Sequence, residues 1–392
     1  MRLEPPSWWY GGRIPLAAWG LLPISAAYGA LAQRRFGKAM PYRSKLPVIC
    51  VGNFTVGGAG KTPVALKLAA MLREGGRKPG FLSRGYGGTE RGPHSVDLAS
   101  DSAAQVGDEP LLLAQAAPTV ISRLRPVGAR LLETMAVDTI VMDDGFQNPS
   151  LQKDFSLIVI DAGAGIGSGR VVPLGPLRAP LAFQAAMADA IVIVGGVPGR
   201  CGEVLERINR AIGKDSPSPL PLSREGRGDS SATSGTSSQL ARPAPSPLAG
   251  EGWGEGAFFT PGRNAFEASI VPLVHDAMRA RPFLAFCGIG RPAKFFDTLT
   301  AAGIRVAGRR AFPDHHPYTE ADALPLIAEA KALGAGLLTT EKDLARLKGS
   351  SGALAELCQS AMALPIAIEF AAGHEAALMQ ALVNTCAVKQ GM

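Results

Sequence analysis

From residue 46 onward, short apolar runs bounded by glycine, proline or charge alternate with stretches in which apolar residues recur every three or four positions. The first kind predicts buried strands and the second amphipathic helices. "LPVICVGN" (46–53), "KPGFLSRG" (78–85), "TVISR" (119–123), "VDTIVMDDGFQ" (137–147), "DFSLIVIDA" (154–162) and "ADAIVIVGG" (188–196) read as strands. Lys61 to Leu72, "PLLLAQAA" (110–117) and "VGARLLETMA" (127–136) read as helices between them. Strands that are apolar throughout, separated by helices, predict a parallel sheet covered on both faces.

The pattern stops at residues 215–256, which are rich in Ser, Pro and Gly and lack any period. That composition cannot bury a core, so this stretch is expected to be a disordered insertion. It holds two imperfect copies of one unit, "SPLPLSREGRGD" and "SPLAGEGWGEGA". Pattern returns with "AFEASIVPLV", "RPFLAFCGIG", "PAKFFDTLTAAG", "IRVAGRRAF", "TEADALPLIAEAKALG" and "AGLLTTEKD", a second and smaller α/β lobe. The expected division is therefore 1–45 as an N-terminal segment, 46–214 as the core domain, 215–256 as the insertion and 257–392 as the second lobe.

The N-terminal segment differs in kind. Residues 14–33 carry no charge; Trp8, Trp9 and Tyr10 precede them, and Arg34, Arg35 and Lys38 follow. Aromatic and basic flanks suit a membrane interface. Pro15 and Pro23 disfavour one straight span, so a helix lying on or shallowly in the membrane is expected, with a hydrophobic hairpin packed on the domain as the alternative. A cleaved signal peptide fits poorly, because it would export a nucleotide loop away from ATP. Residues 1–50 hold seven basic side chains against Glu4, a charge of +6, while the whole chain carries +7. The remainder is thus nearly neutral, and the basic balance does not argue for nucleic acid. Five scattered cysteines without a CxxC pair exclude a disulfide framework and a zinc site, and suit a reducing cytoplasm.

The chemistry begins at "VGNFTVGGAGKTP" (51–63). A strand, a glycine-rich loop and a helix opening in Lys-Thr make a phosphate loop, so the fold class is α/β and P-loop NTPase-like. Thr55, Val56, Gly57, Gly58, Ala59, Gly60, Lys61 and Thr62 are the expected ATP-binding residues. Backbone N–H groups and the helix N-terminus cradle phosphate, Lys61 reaches the outer phosphates, and the Thr62 hydroxyl suits Mg²⁺. Thr55 stands where such loops usually open with glycine. Asp143 and Asp144 end the strand in "TIVMDDGFQ", where a carboxylate holds magnesium directly or through water. Asp108 and Glu109 in "GDEPLLLA" are either helix-start acids or a base for a hydroxyl proton. Asp314, His315 and His316 in "FPDHHPYT" form a polar loop able to close over the first lobe. Arg84, Arg123 and Arg125 follow predicted strands on the edge where ligands collect, as anion contacts or ordinary surface arginines.

Taken in order, "VGNFTVGGAGKTP", "LSRGYGG", "GDEPLLLA", "DDGFQ", "VVPLGPLRAP", "AFCGIGRPAKFF", "FPDHH" and "LLTTEKD" resemble the tetraacyldisaccharide 4'-kinase family of lipid A biosynthesis, over nearly the whole chain outside 215–256. The resemblance implies ATP- and Mg²⁺-dependent phosphorylation of the 4'-hydroxyl of an acylated glucosamine disaccharide at the cytoplasmic face of the inner membrane, with no obligate protein partner. It implies two α/β lobes with ATP at their cleft. It implies Asp108 as catalytic base with His315 as its partner, His316 being the other candidate. Thr62, Asp143, Asp144 and Glu109 are implied as the magnesium environment, and Arg84 and Arg125 as substrate or phosphate contacts. The sequence departs from the family at Ala179, where a glutamate is frequent, and at Asn148, where a histidine is. A membrane-associated regulatory ATPase is the second reading. It would place a lysine near the start of the loop, where "NFTVGG" has none. A metal-delivery GTPase is the third, and its guanine-reading NKxD motif is absent.

Overall fold

The computed structural model describes residues 5–11, 13–195, 200–215, 259–260 and 264–390. The expected disordered insertion at 215–256 therefore lies outside the described residues, apart from Asp215. The strands are β1 (Val48–Gly52), β2 (Pro79–Ser83), β3 (His94–Ser95), β4 (Thr119–Ile121), β5 (Thr139–Asp143), β6 (Phe155–Asp161), β7 (Ala190–Val194), β8 (Ala265–Pro272), β9 (Phe283–Cys287), β10 (Val306–Ala311), β11 (Gly336–Thr340), β12 (Ala361–Leu364) and β13 (Ile366–Phe370). Nine of them form one sheet in the order β13-β8-β7-β6-β1-β5-β2-β4-β3, and four form a second in the order β10-β9-β11-β12.

β1 lies near the middle of the large sheet, parallel to β5 on one side and β6 on the other. Its side chains alternate between two cores. Val48 and Cys50 join a cluster with Ile140, Met142, Ile158 and Ile160; Ile49 and Val51 join another with Val141, Leu157 and Val159. Apolar residues on both faces are what a parallel sheet buried between helix layers demands. Helices 61–74 and 374–390 cover one face, and helices 125–132, 181–185 and 200–215 the other. The parallel, doubly covered sheet matches the alternation read from the sequence.

The strand pairing divides the chain differently from the expected break at residue 257. β8 pairs in parallel with β7, and β13 pairs antiparallel with β8, so both extend the large sheet. Only β9 to β12 build the second sheet, all in parallel. The smaller lobe is thus an excursion out of the larger sheet between β8 and β13. The Leu273 N–H donates to the Pro365 carbonyl where the two connections meet. Strands β3, β12 and β13 are absent from the sequence reading. β3 is two residues long, and β12 and β13 are separated by one residue, Pro365, so neither shows a resolvable period.

At the N-terminus a short 3₁₀ stretch (Leu16–Leu21) runs into the helix Leu22–Gly37. Leu16–Gly37 is long and apolar enough to cross a membrane by length and composition, and little of it is buried. One narrow stripe packs on the core domain: the Ser25 hydroxyl donates to the Val171 carbonyl at 2.7 Å, and Gly29 lies against Pro180. Leu16, Ile24, Tyr28 and Leu31 face outward.

Candidate active site

The phosphate loop joins the C-terminal end of β1 to helix 61–74. Gly57 and Gly60 take positive φ (109° and 82°), which glycine adopts without the Cβ penalty. Thr55 needs no such freedom. It bridges Leu177 in an antiparallel pair, the Val56 N–H donates to the Pro176 carbonyl, and Arg178 Nε donates to the Thr55 carbonyl at 2.9 Å. The loop opening is therefore held by the 176–178 segment in an extended pairing that suits a β-branched residue. Those bonds also occupy the Val56 N–H, so the phosphate cradle expected from Thr55 to Thr62 narrows to the loop's later residues.

Lys61 and Thr62 open the helix facing the end of β5. Thr62 Oγ1 donates to Asp143 Oδ2 at 3.3 Å, and Lys61 Nζ lies 3.7 Å from Asp144 Oδ1. Asp143 is fully buried, and its Oδ1 has no hydrogen-bond partner. Burial, then the nearby Glu109 charge, push its carboxyl well above the ordinary range. Asp144 takes a left-handed φ of 50°. Burial opposes its charge, but Lys61, Arg178 and Arg125 outweigh that and hold it below the ordinary range. Among the described residues no three His, Cys, Asp or Glu side chains form a ready-made metal cage. Magnesium does not require one, since it takes one or two carboxylates plus phosphate and water oxygens. An orphaned buried carboxylate oxygen beside a threonine hydroxyl fits that donor set.

Asp108 and Glu109 begin helix 108–116 and meet the second lobe. Arg346, on helix 341–347, donates to Asp108 Oδ2 from Nε at 2.9 Å and from Nη2 at 2.5 Å. His315 Nδ1 lies 3.3 Å from the same oxygen. Burial raises the Asp108 carboxyl, yet His315, Arg346 and Lys342 together drive it well below the usual carboxylate range. Lys342 Nζ lies 2.6 Å from Glu109 Oε1. Burial works against the Lys342 charge, but Glu109 and Asp108 hold it firmly protonated. The two adjacent histidines separate cleanly: His316 Nε2 contacts Asp322 Oδ2 at 3.0 Å and its ring stacks on Phe312. His315 alone faces Asp108.

The two expected anion-binding arginines also separate. Arg84 is exposed. Arg125 is 2% exposed, and its Nη1 donates to the carbonyls of Ser83 and Ser122, just where β2 and β4 end. Burial lowers its pKa to about 10. The structure thus makes Arg125 a tie between strand ends and a source of positive field at Asp144, not a group open to a ligand. Ala179 is buried, and its carbonyl accepts from Gln184.

A family model described as tetraacyldisaccharide-1-P 4'-kinase matches residues 17–386, which takes in both lobes. The chain belongs to the tetraacyldisaccharide 4'-kinase family. Relatives named tetraacyldisaccharide 4'-kinase include one from Methylobacterium nodulans, 43% identical over 97% of this chain and 95% of its own length. Another, from Azorhizobium caulinodans, is 45% identical over 93% of each chain. A crystal structure of LpxK from Aquifex aeolicus in complex with ATP is 24% identical, with a TM-score of 0.65 over 95% of this chain and all of that one. This likeness concerns the fold.

Within this 4'-kinase fold three cationic residues occupy the site without having been singled out in the sequence. Arg178, inside "VVPLGPLRAP", bridges the Thr55 carbonyl, Gln147 and Asp144. Lys342 and Arg346 lie in and just after "LLTTEKD". Lys342 and Arg346 are four apart on a helix, the spacing that puts both on one face. That spacing was the available signal.

Proposed function

We propose that this chain transfers the γ-phosphoryl group of ATP to the 4'-hydroxyl of a tetraacylated glucosamine disaccharide 1-phosphate, forming a lipid IVA-type product. The carrying observation is the junction at one sheet edge: a carboxylate, Asp108, is oriented by His315 and Arg346 of the second lobe, and its neighbour Glu109 acts electrostatically on Asp143 beside Thr62. Asp108 is the base that takes the acceptor proton, and His315 its partner. Lys61 and the amides of the glycine loop bind the phosphates. Such positioning and charge stabilisation account for most phosphoryl-transfer catalysis.

Thr62, Asp143 and Asp144 are the residues that would hold magnesium. When bound, the ion would supply positive charge that stabilises the negative charge developing on the transferred phosphoryl group. Glu109 acts on this site through its field, because Lys342 occupies its carboxylate. The outward apolar face of 16–31, followed by Arg34, Arg35 and Lys38, supports attachment to the cytoplasmic face of the inner membrane, where an acylated acceptor resides. A regulatory ATPase would have no use for a carboxylate assembled from both lobes.

The test is transfer from γ-labelled ATP to a 1-phosphorylated tetraacyl glucosamine disaccharide in detergent micelles, with and without Mg²⁺. A magnesium-dependent, doubly phosphorylated glycolipid is expected. ATP hydrolysis without labelled lipid would overturn the reading in favour of the regulatory ATPase.

A further inference from the structure

Arg346 is held as firmly as it holds. Its Nη1 donates to the Gly288 carbonyl at 2.7 Å and to Asp343 Oδ1 at 2.6 Å. Asp343 is itself fully buried and accepts from the Gly288 N–H, the Tyr318 hydroxyl and the Thr340 hydroxyl. The guanidinium is therefore locked by the end of β9, the start of helix 341–347 and the 313–318 loop before it reaches the other lobe. A side chain fixed this way loses little freedom when it binds, which is how a site is preorganised.

The bonds to Asp108 are unevenly shared between its two oxygens. Oδ2 receives both Arg346 donors and lies 3.3 Å from His315 Nδ1. Oδ1 accepts only the Glu109 backbone N–H, at 3.0 Å, among the described residues. A carboxylate offers about four lone-pair sites, two on each oxygen. Oδ2 is saturated and Oδ1 keeps one site free.

We propose that Arg346 is a positioning residue for phosphoryl transfer: it saturates Asp108 Oδ2 and turns Oδ1 toward the acceptor hydroxyl. This rests on Asp108 being the base. Its consequence is that the base is aimed only when the second lobe is seated, because its main orienting donors come from that lobe. One turn earlier on the same helix face, Lys342 makes a single contact across the lobes, to Glu109 Oε1.

The experiment is a double-mutant cycle on the full-length chain, using the disaccharide acceptor and labelled ATP. Arg346→Met should lower kcat by about tenfold to a hundredfold, the scale of a misplaced catalytic group, with KM for ATP within about twofold. Arg346→Lys, which keeps one donor to Oδ2, should recover part of the loss. In an Asp108→Asn background Arg346→Met should cost almost nothing further, because the two act as one unit. Losses that multiply in the double variant would overturn the proposal and leave the base assignment standing. An Asp108→Asn variant with near-normal turnover would remove the base assignment and the proposal together. A parallel fall in ATP affinity and kcat in both Arg346 variants would show a merely structural role and also overturn it.

Discussion

Single residues at the sheet edge do separable jobs. Asp108→Ala should abolish phosphate transfer while ATP still binds, since its contacts are to His315 and Arg346 and not to the phosphate loop. Near-normal turnover would exclude it as base. Lys61→Ala should instead weaken ATP binding, readable by titration of a fluorescent nucleotide. Replacing Arg125 by Met should lower thermal stability more than it changes KM for either substrate. It leaves the Ser122 carbonyl without its donor, while Ser83 keeps the Ser122 N–H, and one orphaned buried polar group costs about 1–3 kcal/mol. Lys61, Thr62 and Asp143 could be singled out in the sequence because each sits inside a short motif whose chemistry is local, whereas the residues around Asp108 and His315 left two readings open and only the family resemblance paired them. Arg178 and Arg346 were not legible, because their partners lie 34 and 238 residues away. Arg125 looked like a ligand contact because sequence places it correctly at a strand end but says nothing of which way the guanidinium turns.

At the scale of elements, the segment 16–37 has a surface chemistry that disagrees with water. Leu16, Ile24 and Leu31 are exposed at 90%, 57% and 67%, while the packed stripe is small and polar at Ser25 and Gly29. Changing the three apolar residues to serine should release the protein from anionic lipid vesicles in a sedimentation assay and leave its thermal midpoint nearly unchanged. Retained vesicle binding would place the membrane contact elsewhere. The long strands β1, β5, β6 and β7 were legible because each is apolar on both faces and bounded by turn residues. β12 and β13 were not, because Pro365 joins two short segments that read as one irregular stretch.

At the scale of the molecule, the lobes are joined on both sides of the phosphate loop. One junction is Arg346 and Lys342 on Asp108 and Glu109. The other is Asp161, at the end of β6, with Arg291 Nη1 and Lys294 Nζ each 2.9 Å away. Burial raises the Asp161 carboxyl, but Lys294 and Arg291 outweigh it, and its pKa is lowered. A depressed carboxylate contributes stability that is present above its unfolded pKa, about 3.9, and is lost as pH falls through the folded value. Asp161→Asn should therefore melt at a lower temperature than the unsubstituted chain near neutral pH, and the gap should close under acid. A gap independent of pH would mean that the charge contributes nothing there. The resemblance paired Asp108 with His315 across the lobes, but the Arg346 and Lys294 contacts were not foreseen, since their partners lie 238 and 133 residues away.

The smaller lobe leaves the large sheet after β8 and returns at β13. Synthesis runs from the N-terminus, so β1 to β8 can leave the ribosome and pair while the smaller lobe is still being made. β8 then stands as a bare edge, with its outer N–H and C=O groups unpaired and able to capture foreign strands. It is covered only when residues 366–390 emerge, bringing β13 and helix 374–390. The lobe that closes over the phosphate loop thus also sets how long a newborn chain must wait before its sheet is sealed.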